Sequence, residues 1–155
     1  MEYIVSFSGE HRFLSNFYPV NVKYEGKTYR SVEHAYQAAK TEDEGARKKI
    51  REAQTAGEAK RLGRRVKMSD DFEYHKVSVM KELLLQKFKY PELKAKLLAT
   101  GNSGLIEGNT WGDTFWGVCA GVGENHLGKL LMEVRAELVG HRGMVSNTLR
   151  EGRSP

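Results

Sequence analysis

Residues 31–40, SVEHAYQAAK, constrain the fold of this chain more than any other stretch, because a helix start is followed by an uninterrupted helical run. Ser31 can accept a hydrogen bond from a first-turn N–H group, and the run contains neither glycine nor proline. On helical spacing, the polar residues Glu33, Gln37 and Lys40 fall on one side, beside a surface of small alanines. The stretch therefore predicts a short helix with one polar side.

This polar side has two interpretations. It can line a site where a carboxylate, an amide and an ammonium group act together on a polar ligand. It can also be a solvated surface, stabilised by weak side-chain pairs four residues apart. Spacing alone favours the solvated surface.

The chain before this helix predicts a small β element. The β-branched and aromatic run at residues 3–7 predicts a strand, and FLSNFYP at residues 13–19 predicts an aromatic loop that ends at a proline. Residues 20–24 alternate in polarity, and residues 27–30 return as a second strand. Glu25-Gly26 lies between them, so a hairpin is predicted to deliver the chain to the helix.

The chain after residue 40 predicts further helices. Acidic residues at 42–44 precede basic residues at 47–51, in the order that a helix dipole favours. Thr55 and Glu58 match a capping box for a third, short helix. A fourth helix is predicted to start after Ser69, and Pro91 and Gly101 bracket a fifth. The apolar stripe of the fourth helix consists of Phe72, Met80, Leu83, Leu84 and Phe88.

Residues 101–125 interrupt the helical pattern with seven glycines, two tryptophans and no sustained period. A loop this long is usually functional or disordered, and its aromatic content argues against disorder. Asn125 is then predicted to cap a last helix, with a buried face of Leu127, Leu130, Leu131, Val134 and Leu138.

These elements predict a single, mainly α domain at residues 1–140, with a loose tail at 141–155. No apolar run approaches the roughly 20 residues that span a bilayer. The N-terminus lacks the pattern of a signal peptide, and the single Cys119 fits a reducing compartment. We therefore expect a cytoplasmic protein without a membrane partner.

The net charge of +5 is concentrated in one segment, since ten basic and five acidic residues lie between Lys40 and Lys67. A basic patch favours an anionic partner, such as a phosphorylated ligand or a nucleic acid. Solvated helix faces without a binding role can carry the same excess of basic residues.

Several kinds of site have no signature here. The sequence has no Walker-type phosphate loop, and its five histidines lack the spacing of metal ligands. The GVG at 121–123 lacks the third glycine of a dinucleotide fingerprint, and neither Ser31 nor Ser103 sits in a nucleophile elbow. We therefore expect neither a metal nor a cofactor.

Two carboxylates with polar and aromatic neighbours remain, Glu33 and Asp113. Asp113 lies in WGDTFWG at residues 111–117, where two glycines allow close approach of the backbone to a ligand. The aromatic residues of this loop can either stack on a nucleobase or fill the core beneath the loop. They are Trp111, Phe115 and Trp116.

A series of motifs runs in order from about residue 7 to about residue 139. They are NF at 16–17, SVEHAYQAAK at 31–40, Leu62-Gly63-Arg64, LLAT at 97–100, FWG at 115–117 and NHLGKLLMEVR at 125–135. Together they resemble the YbiA-like or NADAR family, whose members include N-glycosidases acting on ADP-ribose-related and riboflavin-pathway compounds. The resemblance implies a mainly α, YbiA-like helical fold and cleavage of a C–N glycosidic bond.

The resemblance also implies roles for individual residues. The family's essential glutamate falls on Glu33, and its loop aspartate falls on Asp113. Many members have tryptophan where this chain has Phe72, so its base preference is expected to differ if that ring stacks on the substrate. Substrate contacts are expected from Asn16, Phe17, His34, Gln37, Arg64, Phe72, Trp111, Trp116 and Gly117.

Glycoside chemistry suggests how the charged residues act. Glu33 would stabilise positive charge on the ribose or activate water, and Asp113 would orient the ribose hydroxyls or share the base role. Lys40 would neutralise phosphate, assist the departing base or attack the sugar C1 itself. Candidates for binding a pyrophosphate are Arg12, Arg64 and the 47–51 run.

Four functions stay open from the sequence. The first is removal of ADP-ribose from a modified base, such as guanine in nucleic acid or a nucleotide, and the concentrated positive charge leans toward it. The second is cleavage of a phosphorylated riboside among the early riboflavin intermediates. The third is binding of ADP-ribose or NAD without hydrolysis, and the fourth is nucleic-acid binding alone.

Overall fold

The computed structural model describes residues 2–151, with side chains described for residues 2–140. The fold is mainly α with small β elements, as the sequence predicts. In chain order the elements are β1 (Tyr3–Ile4), β2 (Pro19–Tyr24), β3 (Lys27–Ser31), α1 (Val32–Ala39), α2 (Glu44–Glu52), α3 (Ala56–Gly63), α4 (Phe72–Lys87), α5 (Pro91–Ala99), β4 (Gly104–Leu105), β5 (Gly108–Asn109), β6 (Val118–Cys119) and α6 (His126–Glu151).

The chain divides into two compact units. The first unit is Phe7–Tyr90, and the second combines residues 2–6 with the chain from Pro91 onward. A single domain ending near residue 140 stays a prediction. No helix in the described part of the chain is both long enough and apolar enough to cross a membrane.

The first unit contains the predicted hairpin. β2 and β3 pair antiparallel, and the turn between them places Glu25 at φ 46° and Gly26 at φ 79°. Two successive positive φ values are what a type I′ hairpin turn requires. The predicted loop at 13–19 differs, because it begins inside a 3-10 helix, Gly9–Leu14, whose last two side chains are buried.

The helix starts of the first unit follow the predicted capping chemistry. Ser31 Oγ accepts a hydrogen bond from the His34 backbone N at 3.1 Å. Thr55 Oγ1 accepts from Glu58 N at 3.1 Å, and Glu58 Oε2 accepts from Gln54 N at 3.1 Å. These bonds fix where α1 and α3 begin.

The helix α1 lies at the centre of the first unit, in contact with α2, α3, α4 and both hairpin strands. Every side chain from Val32 to Ala39 is buried. The predicted apolar stripe of α4 is buried as well, and α4 packs against α1 and β2. A buried lysine, Lys87, donates from Nζ to Ser15 O at 2.7 Å and so holds the segment that leads to Asn16.

The second unit has two short parallel strand pairs, β1 with β4 and β5 with β6. The predicted strand at 3–7 is limited to Tyr3–Ile4, the two residues that pair with β4. α5 packs on α6. α6 continues as helix to Glu151, so the predicted tail at 141–155 begins inside this helix, and residues 152–155 lie outside the described part.

Candidate active site

The polar side of α1 is enclosed by protein. Glu33 is 7% exposed, Gln37 is 3% exposed and Lys40 is half-buried. The solvated-surface interpretation is therefore wrong for this helix. It fails because α2, α3, α4 and the hairpin cover α1 from several sides, and the spacing of residues within one helix carries no information about such neighbours.

Glu33 is held by its side chain and by its backbone. Gln37 Nε2 donates to Glu33 Oε1 at 2.7 Å, and the Glu33 backbone N donates to Asn16 O at 3.1 Å. Glu33 also lies in the first turn of α1, where the helix dipole favours a negative charge. The result is a buried carboxylate with a fixed position.

Lys40 ends the same helix and has a perturbed amine. Its pKa is lowered, first by burial and then by the nearby positive charges of Lys60 and Arg64, while Glu33 and Glu73 act in the opposite direction. Lys40 Nζ also lies 5.6 Å from the centroid of the Tyr36 ring. A carboxylate and an amine of reduced basicity thus share one small region, as is common at functional sites.

Two aromatic residues near α1 have different environments. Phe72 is 4% exposed and its ring lies 5.5 Å from that of Tyr36, so it packs within the first unit. The expected base contact of Phe72 stays a prediction. Phe17 is 44% exposed, with Lys60 Nζ 5.8 Å from its ring centroid, and it stays a candidate for stacking.

Asn16 is buried, and its backbone is hydrogen-bonded to that of Glu33. Its Nδ2 lies 3.5 Å from Met80 Sδ, and its Oδ1 has no hydrogen-bond partner among the described residues. Its backbone carbonyl is the one that accepts from Glu33 N. Asn16 thus both positions Glu33 and keeps an acceptor for a ligand or water.

His34 supports the fold and has no free ring nitrogen. Its Nε2 donates to Ala53 O at 3.0 Å, which makes Nδ1 the acceptor for the Ser31 hydroxyl at 2.7 Å. The ring is 2% exposed, and burial lowers its pKa. Both ring nitrogens already bind protein atoms, which gives His34 a structural role, and its expected substrate contact stays a prediction.

We expect His34 to make the stability of the protein depend on pH. The folded-state pKa lies below the ordinary value of 6.5, so the unfolded chain takes up a proton first as pH falls. Its contribution is complete above pH 6.5 and is lost as pH falls toward the folded-state pKa. Urea unfolding at pH 7.5 and 5.0 should show a smaller pH effect for His34→Gln than for the parent. The same pH effect in both proteins would contradict this prediction.

Three arginines expected to bind phosphate are of two kinds, one buried and paired and two exposed. Arg47 is buried, donates from Nε to Thr41 O at 2.6 Å and pairs with Glu25, so it joins α2 to the hairpin. Arg47 is therefore a structural residue. Arg64 is exposed just past α3, and Arg12 is exposed with its guanidinium 5.9 Å from the Tyr18 ring, so both stay candidates.

The second unit contains the other candidate carboxylate, in a loop closed by its own side chains. Asp113 Oδ1 accepts from Phe115 N at 3.1 Å and from Trp116 N at 2.9 Å. Asn109 accepts from Asp113 N at 3.0 Å and donates to Asp113 O at 2.8 Å. At least one carboxylate oxygen of Asp113 therefore organises the loop. A site shared by Glu33 and Asp113 stays a prediction.

The aromatic residues of this loop are only partly packed. Trp111 is 56% exposed, whereas Phe115 stacks on His126 at 4.3 Å and meets Trp116 edge to face at 4.9 Å. Gly117 is closely packed, because a Cβ there would overlap Glu107 O and lie 2.8 Å from Asn109 Nδ2. The packing of the loop thus requires glycine at this position, and the expected ligand contact of Gly117 stays a prediction.

Sequence reasoning missed several residues that this structure places in supporting roles. Asn109 closes the loop around Asp113, and Lys60 and Glu73 act electrostatically on Lys40. Lys60 was visible only as one member of the basic segment. Among the described residues, no three His, Cys, Asp or Glu side chains are arranged to hold a metal ion.

Comparison with known proteins places these observations in a family context. A family model described as the NADAR domain matches residues 5–139. The N-glycosidase YbiA of Escherichia coli strain K12 is 41% identical over 137 residues, which cover 86% of this chain and 85% of that protein. A riboflavin biosynthesis protein of Vibrio vulnificus is 38% identical over 135 residues, but this chain spans only 36% of its length. The NMR structure of the E. coli protein YbiA matches 92% of this chain and 89% of its own, with a TM-score of 0.80 and 36% identity.

Proposed function

This chain belongs to the NADAR domain family, and from that premise we propose that it is an N-glycosidase that hydrolyses the C–N bond between a ribose and a base. The observation that carries the proposal is the Glu33 carboxylate, buried and hydrogen-bonded to Gln37 on the helix that also ends in Lys40. The match to an N-glycosidase over most of both chains supports it.

The chemistry needs a carboxylate in this kind of environment. As the C1–N bond breaks, positive charge develops on the sugar, and a nearby ionised carboxylate stabilises it more strongly inside protein than in water. As the C1–N bond breaks, the oxygen of a water molecule forms the new bond to C1 and Glu33 accepts one of its protons. The leaving nitrogen takes up a proton from solvent, and Glu33 returns its own proton to solvent. The products are a free hydroxyl at C1 and the released base.

Among N-glycosides, we favour an ADP-ribosylated base, such as guanine in a nucleic acid or a nucleotide. Lys60 and Arg64 lie close enough to Lys40 to lower its pKa, so the carboxylate has several cations near it. Guanidinium and ammonium groups stabilise phosphates, and a diphosphate uses more of them than a monophosphate. Phe17, exposed beneath Lys60, is a candidate surface for a base.

A phosphorylated intermediate of early riboflavin synthesis is the second candidate substrate. It is favoured by the similarity of this chain to part of a protein named for riboflavin biosynthesis. Such a compound would need the same carboxylate and fewer phosphate contacts. We also propose a cytoplasmic location, because the single Cys119 fits a reducing compartment.

The test is incubation of the protein with both substrate classes. A guanine-ADP-ribosylated oligonucleotide is followed by chromatography for free ADP-ribose, and phosphorylated riboflavin intermediates are followed for free ribose phosphate. Release from the oligonucleotide supports the first substrate, and release only from the intermediates supports the second. Binding of ADP-ribose with no release from either would contradict the N-glycosidase proposal and favour a binding module.

We expect Asp113→Asn to keep most of this activity and Asp113→Ala to lose it. Asparagine retains an oxygen that can accept from Phe115 N and Trp116 N, whereas alanine leaves both donors without their acceptor. Activity within about fivefold of the parent for asparagine, and at least about tenfold lower for alanine, would fit a loop-organising residue at the usual strength of such bonds. An equal loss in both variants would instead assign Asp113 a catalytic charge.

A further inference from the structure

The Gln37 side chain is fixed between two neighbours, Glu33 and Gly63. Its Nε2 donates to Glu33 Oε1 at 2.7 Å, and an ionised carboxylate can only accept. This bond sets the orientation of the amide, so Oε1 points the other way, and it has no hydrogen-bond partner among the described residues. The amide nitrogen of Gln37 thus binds the carboxylate, while the amide oxygen is left without a hydrogen-bond donor among the described residues.

Gly63 provides the space that this amide occupies. A Cβ at Gly63 would lie 2.6 Å from Gln37 Cδ, 2.9 Å from its Cβ and closer still to Oε1. Gly63 is the last residue of α3 and is not among the glycines with positive φ, so its backbone conformation would accept alanine. Glycine is required here because of the Gln37 side chain.

On the basis of the proposed function, we propose that Gln37 is a positioning residue for Glu33 and that Gly63 holds it in place. A hydrogen bond donated to a buried carboxylate stabilises its ionised form and restricts its rotamers. Without the bond, Glu33 would protonate more easily and would point less consistently at the reacting atoms. α3 therefore controls a reactive group on α1 through one amide.

The charged groups around this network all remain in the variants that test it. Lys40 is on the same helix, and the neighbouring elements contribute further charges. Those that act electrostatically on Lys40 are Lys60 and Arg64 at α3 and Glu73 on α4.

The first test compares glycosidase kinetics of Gln37→Ala, Gly63→Ala and the double variant. We expect each single change to lower kcat by about 10- to 100-fold with KM changed by less than about threefold, and to shift the acidic limb of the kcat/KM profile to higher pH. Because the closest overlap of Gly63→Ala is with the amide, which the double variant lacks, the loss in the double variant should be smaller than the product of the two single losses, although the 2.9 Å approach to the Cβ of residue 37 remains. Losses that multiply in the double variant would overturn the inference.

Gly57→Ala is the matched control for Gly63→Ala. It makes the same change on the same helix, but its Cβ would meet its neighbours only at 4.0 Å. We expect its kcat and its pH profile to match the parent. If Gly63→Ala does not fold, Gln37→Met, which keeps the volume and removes the donor, is measured in its place.

The second test does not depend on turnover. Carbon-13 NMR of the glutamate carboxyl groups, with Glu33→Gln to assign the Glu33 signal, follows its titration in the parent and in both single variants. We expect the midpoint to move to higher pH in Gln37→Ala and in Gly63→Ala. An unchanged midpoint would overturn the inference, whereas a parent without glycosidase activity but with these shifts would overturn only the proposed function.

Discussion

Glu33→Gln is expected to lower kcat by about 10³-fold or more, with little change in KM. Glutamine keeps the shape of the side chain and can still accept from Gln37, but it carries no charge to stabilise the sugar cation and cannot accept a proton from water. Since both effects arise in the transition state, the loss should appear in kcat. The measurement is steady-state release of the sugar product.

The folding of this variant is expected to be retained or improved, because a buried charge is replaced by a neutral group of the same size. Thermal unfolding of the parent and Glu33→Gln should therefore separate a catalytic loss from a structural one. Glu82→Gln, an exposed position on α4, is the matched control and should leave kcat unchanged. A Glu33→Gln enzyme with more than about a tenth of the parent's kcat would rule out the role proposed for this carboxylate.

The second large effect is expected at Lys40, where Lys40→Met should lower kcat/KM by about 10²- to 10⁴-fold. The Lys40→Arg variant distinguishes two roles. If the lysine acts as a cation, arginine keeps a substantial part of the activity. If the amine attacks C1 and displaces the base, ring opening gives a Schiff base that arginine cannot form.

The pH profile and a trapping experiment give independent readouts for Lys40. Burial lowers its pKa, so its neutral form appears at lower pH than for a solvated lysine. A nucleophilic amine makes the rate rise with pH through this pKa, and a required cation makes it fall. Borohydride added during turnover reduces a Schiff base to a stable adduct, which mass spectrometry would locate on Lys40. Lys89→Met, an exposed change just past α4, should leave the rate unaltered.

The helices were predictable from sequence where their ends depend on local chemistry. Ser31 and Thr55 cap α1 and α3 through their own first turns, and Pro91 opens α5 as predicted. Such signals act over three or four residues, so they can be read without knowledge of the tertiary structure.

The environment of the site was less predictable, because it depends on residues far apart in the chain. Nothing within 31–40 indicates that α3 and α4 pack against this helix, and nothing near His34 indicates that Ala53 O accepts a hydrogen bond from its ring. The sequence shows that Asp113 has a carboxylate in an aromatic loop, which fits a catalytic role. It does not show that an oxygen of this carboxylate accepts hydrogen bonds from the backbone of the loop itself. The sequence gives the type of each residue, but it does not give the atoms with which that residue forms hydrogen bonds in the folded protein.

The enclosure of α1 has a consequence for how this protein would lose function on heating. Its backbone amides lie within the first unit, so their hydrogens would exchange with solvent mainly when that unit opens as a whole. Glu33 is thus carried by a segment that we expect to open late, and its hydrogen bonds to Gln37 and to the Asn16 carbonyl would be lost only when the first unit unfolds.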